Sequence, residues 1–154
     1  MRFECDFDHI SVLIADDDTQ ICKLAQAILA REGCFTLIAC DGQQALEASR
    51  GYPGPIHLLL SDVKMPRLGG PELCRQIKVE RPETLCLLMS GDISGVPMAE
   101  ALPFISKPFS PDALRSKVRE LVRPAVKPDS QNSDGIWKMP ADYHLALCFP
   151  KTLK

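Results

Sequence analysis

From about residue 10 to residue 123, short unbroken apolar runs alternate with stretches whose apolar residues recur every three or four positions. The first run, Ser11–Ala15, is bounded by acids and too short for a helix, which predicts a strand buried on both faces. Thr19–Glu32 places Ile21, Leu24, Ala25, Ile28 and Leu29 on one helical face, and Gly33 is a fitting stop. Phe35–Cys40 reads as a second strand, Asp41-Gly42 as a turn and Gln43–Arg50 as a short helix. A stiff loop with Gly51, Pro53, Gly54 and Pro55 leads to a third strand at Ile56–Ser61.

The next loop, Val63–Gly70, contains Pro66 and two glycines. Pro71 then opens a helix that runs to about Arg81 with Leu73, Cys74 and Ile77 inward. Leu85–Met89 is a fourth strand. Ser94–Leu102 has room for one or two helical turns, weakened by Gly95 and Pro97. Phe104–Ser106 is a fifth strand, with Phe104 read as a core aromatic. Ser110 caps a last helix with Pro111 at its first position and Leu114, Val118, Leu121 and Val122 as its buried stripe. Such alternation predicts an α/β fold, a doubly wound five-stranded parallel sheet in the order 2-1-3-4-5.

Four of the apolar runs end on residues that can handle phosphate or a metal. Ser11–Ala15 meets Asp16 and Asp17, Ile56–Ser61 meets Asp62, Leu85–Met89 meets Ser90, and Phe104–Ser106 meets Lys107 and Pro108. In a parallel sheet these ends share one edge, and strands one and three lie side by side at a switch point where ligands bind. The set can hold a divalent cation, and one carboxylate can accept a phosphoryl group. Each residue also has an ordinary reading. An Asp after a strand is often a turn or helix cap, and Asp18 is read as a cap. A lone Lys107 is a surface residue and a lone Ser90 a turn residue. It is the joint placement that argues for chemistry.

Composition narrows the picture. With 154 residues the chain can bury a core without staples. A formal net charge of −2 gives no basic field for nucleic acid or an anionic membrane, and no run is long enough to span one. The start, residues 1–10, carries Glu4, Asp6 and Asp8 and has no apolar region of a secretory signal. Seven cysteines lack metal-ligand or CxxC spacing, which favours buried reduced thiols in a cytoplasmic protein over zinc. His9, His57 and His144 show no partner pattern. From Pro124 the character changes: residues 124–135 read as a linker and Trp137–Leu153 as an aperiodic tail, so residues 1–123 form the domain and 124–154 a flexible extension.

Val12-Leu13-Ile14-Ala15-Asp16-Asp17-Asp18 resembles the acidic opening of the receiver domains of bacterial two-component response regulators. Leu58–Pro66, with Gly70 four residues on, resembles their phosphoacceptor strand and loop. Leu87–Gly91 resembles their hydroxyl-bearing strand, and Phe104–Phe109 their closing Lys-Pro segment. The resemblance covers about residues 10–122 and implies a flavodoxin-like, CheY-like fold. By position it makes Asp62 the phosphorylated aspartate and Asp16 and Asp17 the acidic pair. Asp17 would bind Mg2+ directly, Asp16 mainly through water, and Lys64 through its backbone carbonyl. Ser90 would bond the phosphoryl group, Lys107 would pair with its oxygen across a Lys107–Pro108 bond that the family makes cis, and Phe104 would be the switch aromatic. Backbone N–H groups after Asp62 and Ser90 would hold the remaining oxygens.

The partners implied are a sensor histidine kinase or phosphotransfer protein, and downstream a protein target or a homodimer. No nucleic-acid contact is expected within this chain. The chain reads as a stand-alone regulator or as a receiver of a larger or hybrid protein. Two departures stand out. The stretch from Ser90 to Lys107 is short for the family, which predicts a shortened fourth helix and an altered output face. Lys64 and Asp92 are each placed two residues beyond a site residue, which predicts an ion pair or close approach that modulates loss of the phosphoryl group. Two other readings compete. One is a degenerate receiver that binds without phosphorylation. The other is a haloacid-dehalogenase-like phosphatase with Asp16 as nucleophile and Asp18 as acid, which Gln20 in place of its motif Thr disfavours.

Overall fold

The structure is a computed structural model, and it describes residues 9–92 and 102–122. In chain order the elements are β1 Ser11–Ala15, α1 Thr19–Arg31, β2 Phe35–Ala39, α2 Gly42–Gly51, β3 Leu58–Asp62, α3 Gly70–Glu80, β4 Leu85–Ser90, β5 Phe104–Ser106 and α4 Pro111–Val122. The five strands form one parallel sheet in the order β2-β1-β3-β4-β5, as the alternation predicts. The expected helical turns within 94–102, and with them the shortened fourth helix, fall almost wholly outside the described residues, as does the extension 124–154.

Successive strand residues feed opposite faces, so each strand must be apolar throughout. Val12, Ile14, Leu58, Leu60, Leu87, Met89 and Ile105 pack with α1 and α4 on one side. Leu13, Ala15, Leu37, Leu59, Cys86 and Leu88 pack with α2 and α3 on the other. The register sets the strand ends side by side: Ala15 lies opposite Ser61, Asp62 opposite Met89, and Ser90 opposite Ser106.

Local chemistry starts and stops the helices. The Asp18 carboxylate caps α1 by accepting from the Gln20 N–H at 2.9 Å. Gly33, at φ 92°, ends α1: its N–H donates to Ala30 O, and the Cys34 N–H reaches back to Leu29 O, each at 3.1 Å. Asp41 accepts from Gln44 N–H at 2.8 Å to cap α2. Ser110 Oγ accepts from Ala113 N–H at 3.1 Å to cap α4, with Pro111 at its first position. Below the sheet edge, the Arg81 guanidinium donates to Ser49 Oγ and to the carbonyls of Ser49, Tyr52 and Gly54, which ties the loop before β3 to the end of α3.

Several expectations need correcting. Leu24 is exposed, and Cys22 takes the buried position on α1, because the helix meets the sheet along Cys22, Ala25, Ile28 and Leu29 and leaves Leu24 at the flank of the stripe. Ile56 is buried but precedes β3, which begins at Leu58. Phe104 is not a core residue: it is 40% exposed, since β5 is an edge strand and turns only Ile105 to the core. His57 does have a partner. Its Nδ1 accepts the Ser11 N–H at 3.0 Å, while its own N–H donates to Ser11 O at 2.9 Å.

Candidate functional site

Three carboxylates and an ammonium converge where β1, β3 and β5 end. Oxygens of Asp16, Asp17 and Asp62 all lie within 4.8 Å of one another. Lys107 Nζ lies 2.6 Å from Asp16 Oδ2 and 3.3 Å from Asp62 Oδ1. The Lys107 N–H donates to Ser90 O at 2.8 Å, so the backbone pairing of β4 and β5 aims the lysine stem at the cluster. The Lys107–Pro108 peptide is cis, as the resemblance implies.

The members differ in burial, and burial separates their roles. Asp16 is fully buried, Asp17 is exposed, and Asp62 lies between. Burial pushes the Asp16 carboxyl above its ordinary value, while the hydrogen bonds from Lys107 and from the Asp18 N–H pull it back. Burial also pulls the Lys107 ammonium down. The Asp16 and Asp62 carboxylates outweigh that and leave it raised, so Lys107 is a firm cation at neutral pH.

Ser90 is buried at the end of β4, and its hydroxyl is already engaged. It donates to Asp92 O at 2.7 Å and accepts from Asp92 N–H at 3.1 Å, closing a tight turn. The loop after Asp62 is drawn against the site by backbone bonds. Val63 N–H donates to Met89 O at 3.0 Å and Gly70 N–H to Val63 O at 2.9 Å. The Val63 N–H is therefore used by the sheet, and of the N–H groups expected to hold phosphoryl oxygens this one is committed elsewhere. A Cβ on Gly70 would stand 2.2 Å from Asp62 O, so only glycine lets α3 begin this close to the acceptor strand.

Asp16, Asp17, Asp62 and Lys107 are thus brought into one cluster, with Ser90 on the neighbouring strand end. Lys64 is exposed, and among the described residues it makes no ion pair, so the expected Lys64–Asp92 salt bridge is not formed. One role escaped sequence reasoning: Asp16 is the direct partner of Lys107. The signal available was its place directly after the buried first strand, one step deeper than Asp17.

The sequence model of the response regulator receiver domain matches residues 12–119, most of the chain. This chain belongs to the response regulator receiver family. Among curated relatives of this receiver, response regulator RR06 of Streptococcus pneumoniae serotype 2 (strain D39 / NCTC 7466) is 33% identical over 74% of this chain and 54% of its own. The probable transcriptional regulator ycf27 of Porphyridium aerugineum is 30% identical over 79% of this chain and 52% of its own. The receiver thus spans about half the length of the curated relatives it matches. A CheY-like response regulator receiver domain protein of Methanospirillum hungatei JF-1 shares the fold at a TM-score of 0.68, with 29% identity over 75% of this chain and 95% of its own. No described helix of the receiver is long and apolar enough to cross a membrane.

Proposed function

We propose that this receiver takes a phosphoryl group from a phosphohistidine of a sensor kinase or phosphotransfer protein onto Asp62, with Mg2+ bound, in the cytoplasm. The observation that carries this reading is the meeting of Asp16, Asp17 and Asp62 in one acidic cluster with Lys107 bridging two of them. The donor set suits Mg2+. Oxygens on an octahedron of about 2.1 Å radius lie about 3–4.2 Å apart. The oxygens of the three carboxylates lie within 4.8 Å of one another, close to that span. Asp17 and Asp62 would hold the ion, with the Lys64 carbonyl as a third ligand and Asp16 behind it. Bound there, the ion would neutralise the repulsion between the carboxylate and the phosphoryl oxygens.

The remaining work falls to the chain. An Asp62 oxygen attacks phosphorus in line, the P–O bond forms as the P–N bond breaks, and the electron pair leaves with the imidazole, which takes a proton from water. Positioning and charge do most of the catalysis in such transfers. Lys107, held on Asp16, offers its ammonium to a phosphoryl oxygen beside Asp62. Ser90 has one hydroxyl proton, which is given to Asp92 O. To bond a phosphoryl oxygen it must release that carbonyl, and this exchange would pass the event into the turn after β4. Phe104, 40% exposed on the edge strand, would turn inward in response. Lys64, exposed two residues after Asp62, and Asp92 are proposed as modulators of phosphoryl loss through close approach.

Incubating the full chain with Mg2+ and a small acyl-phosphate donor tests this. One added phosphoryl group, lost in Asp62→Asn, is expected. Repeated turnover that survives Asp62→Asn and fails in Asp16→Asn would instead mean a phosphatase. No incorporation, and no response to beryllofluoride, would mean a receiver that binds partners unphosphorylated. Since the curated relatives are about twice as long, the output of the whole protein, through a protein target or a homodimer, is set by what this receiver is joined to or meets.

A further inference from the structure

The start of α2 is built against the loop that follows Asp62. Asp41 is buried, and its carboxylate serves two elements at once. Oδ1 accepts the Gln44 N–H at 2.8 Å and caps α2, while Oδ2 lies 3.4 Å from Arg67 Nη2 in the loop. Gly42, also buried, meets the loop backbone directly: a Cβ there would overlap Leu68 O and stand 2.7 Å from Leu68 Cβ. Met65 and Leu68 pack against the core on the α2 and α3 side of the sheet. Arg67 holds φ 68°, a left-handed conformation that its surroundings must maintain in a residue other than glycine. The far side of this contact is anchored on the strands beside the acidic cluster. The Gln44 side chain accepts the Cys40 N–H at 3.0 Å, and Ala39 O, at the end of β2, accepts the Asp16 N–H at 3.2 Å. A chain of close contacts therefore runs from Asp16 through the first turn of α2 to the loop that carries Lys64.

We propose that Asp41, Gly42 and Arg67 form a positioning clamp that sets the reach of the Lys64 carbonyl to the Mg2+ site. This rests on the function proposed above, in which that carbonyl is the third ligand of the ion. Mg2+ demands near-ideal octahedral geometry and tolerates little displacement of a ligand. A backbone carbonyl has no side-chain torsions to correct its position, so the loop itself must be held. The bond from Gly70 N–H to Val63 O, at 2.9 Å, pins the two ends of the loop. Arg67 and Leu68 lie between those ends, and the start of α2 bears on them. None of the three clamp residues belongs to the acidic cluster, so they act through Lys64 rather than on the ion. The ion pair is the yielding part, since the Arg67 side chain is 70% exposed. Gly42 is the rigid part, since it faces backbone.

The test titrates the full chain with Mg2+ alone by calorimetry and follows amide exchange of residues 63–70 without metal. Gly42→Ala should raise the Mg2+ dissociation constant about tenfold or more and speed exchange in the loop. Arg67→Asn, which keeps a residue tolerant of positive φ, should raise it about two- to fivefold, the range of an exposed ion pair. Arg67→Lys should restore most of the affinity. Gly54→Ala places a methyl group 3.0 Å from Tyr52 Cε1, before β3 and so at the opposite end of the sheet. That variant should lose stability without changing Mg2+ affinity. Should Gly42→Ala fail to fold, the two Arg67 variants decide. Equal weakening in Gly54→Ala would reduce the clamp to general stability and overturn it. So would unchanged affinity in both Gly42→Ala and Arg67→Asn while the native chain binds Mg2+. A native chain that takes up no Mg2+ overturns the function proposed above and the clamp with it.

Discussion

Lys107 Nζ sits 2.6 Å from Asp16 Oδ2, a carboxylate with no exposure to solvent, although the two residues are 91 positions apart. The lysine stands in for the water that Asp16 has lost. Lys107→Met leaves the buried carboxylate and its neighbour Asp62 without that cation. Removing one member of a buried pair costs about 3–5 kcal/mol. A urea unfolding midpoint should fall accordingly at neutral pH. A loss under about 1 kcal/mol, the range of surface pairs, would show that solvent already screens the pair.

Mg2+ should stabilise the folded chain by mass action through the acidic cluster. At one hundred times its dissociation constant, the gain is about 2.7 kcal/mol. Asp17→Asn should remove most of that gain. Because Asp17 is exposed, the variant without metal should unfold within about 0.5 kcal/mol of the native sequence. Thermal melts with and without Mg2+ read both quantities. An undiminished shift in Asp17→Asn would move the ion to other ligands.

Gly70→Ala places a methyl group 2.2 Å from the Asp62 carbonyl oxygen and 3.1 Å from Leu88 Cδ2. Neither the strand backbone nor a packed leucine yields easily, so the start of α3 must move away from the site. A loss of about 1–3 kcal/mol is expected from the overpacking. Phosphorylation by a small donor should slow as well, since the loop that carries Lys64 is pinned at Gly70. Native stability in Gly70→Ala would show that the loop absorbs the methyl freely.

Burial holds His57 below its ordinary pKa, and its Nδ1 accepts the Ser11 N–H only when unprotonated. As pH falls, the unfolded chain takes up the proton first, near about 6.5. The contribution of His57 is therefore complete above that pH and is lost as pH drops from there toward the lower folded value. Denaturant midpoints between about pH 7.5 and 5.5 should decline more steeply in the native sequence than in His57→Asn, whose side-chain oxygen can accept the same N–H without titrating. Parallel declines would assign the pH dependence to other groups.

Much of the site was legible because strand ends in a parallel sheet must share an edge. Asp16, Asp17, Asp62, Ser90 and Lys107 were marked by their place after apolar runs, and their convergence followed once the strand order was set. Helix boundaries were legible through Asp18, Gly33, Ser110 and Pro111, whose caps depend on neighbours a few residues away. Leu24 and Phe104 were misread because periodicity finds an apolar stripe but not its centre, and does not say which strand lies at the edge. The Lys64–Asp92 ion pair is not formed, because spacing from the strand ends does not set the last few ångströms between two exposed side chains.

The sequence by itself determined the order of strands and helices, the two-sided burial of the sheet and the identity of the acids at its rim, since these rest on contacts and patterns local in the chain. Only the tertiary structure decided that Lys107 bonds Asp16 as well as Asp62, that Ser90 spends its proton on Asp92, and that His57 accepts the Ser11 N–H. Those contacts are set by register and helix rotation. Shifts of an ångström or two there leave the hydrophobic pattern unchanged but make or break a hydrogen bond.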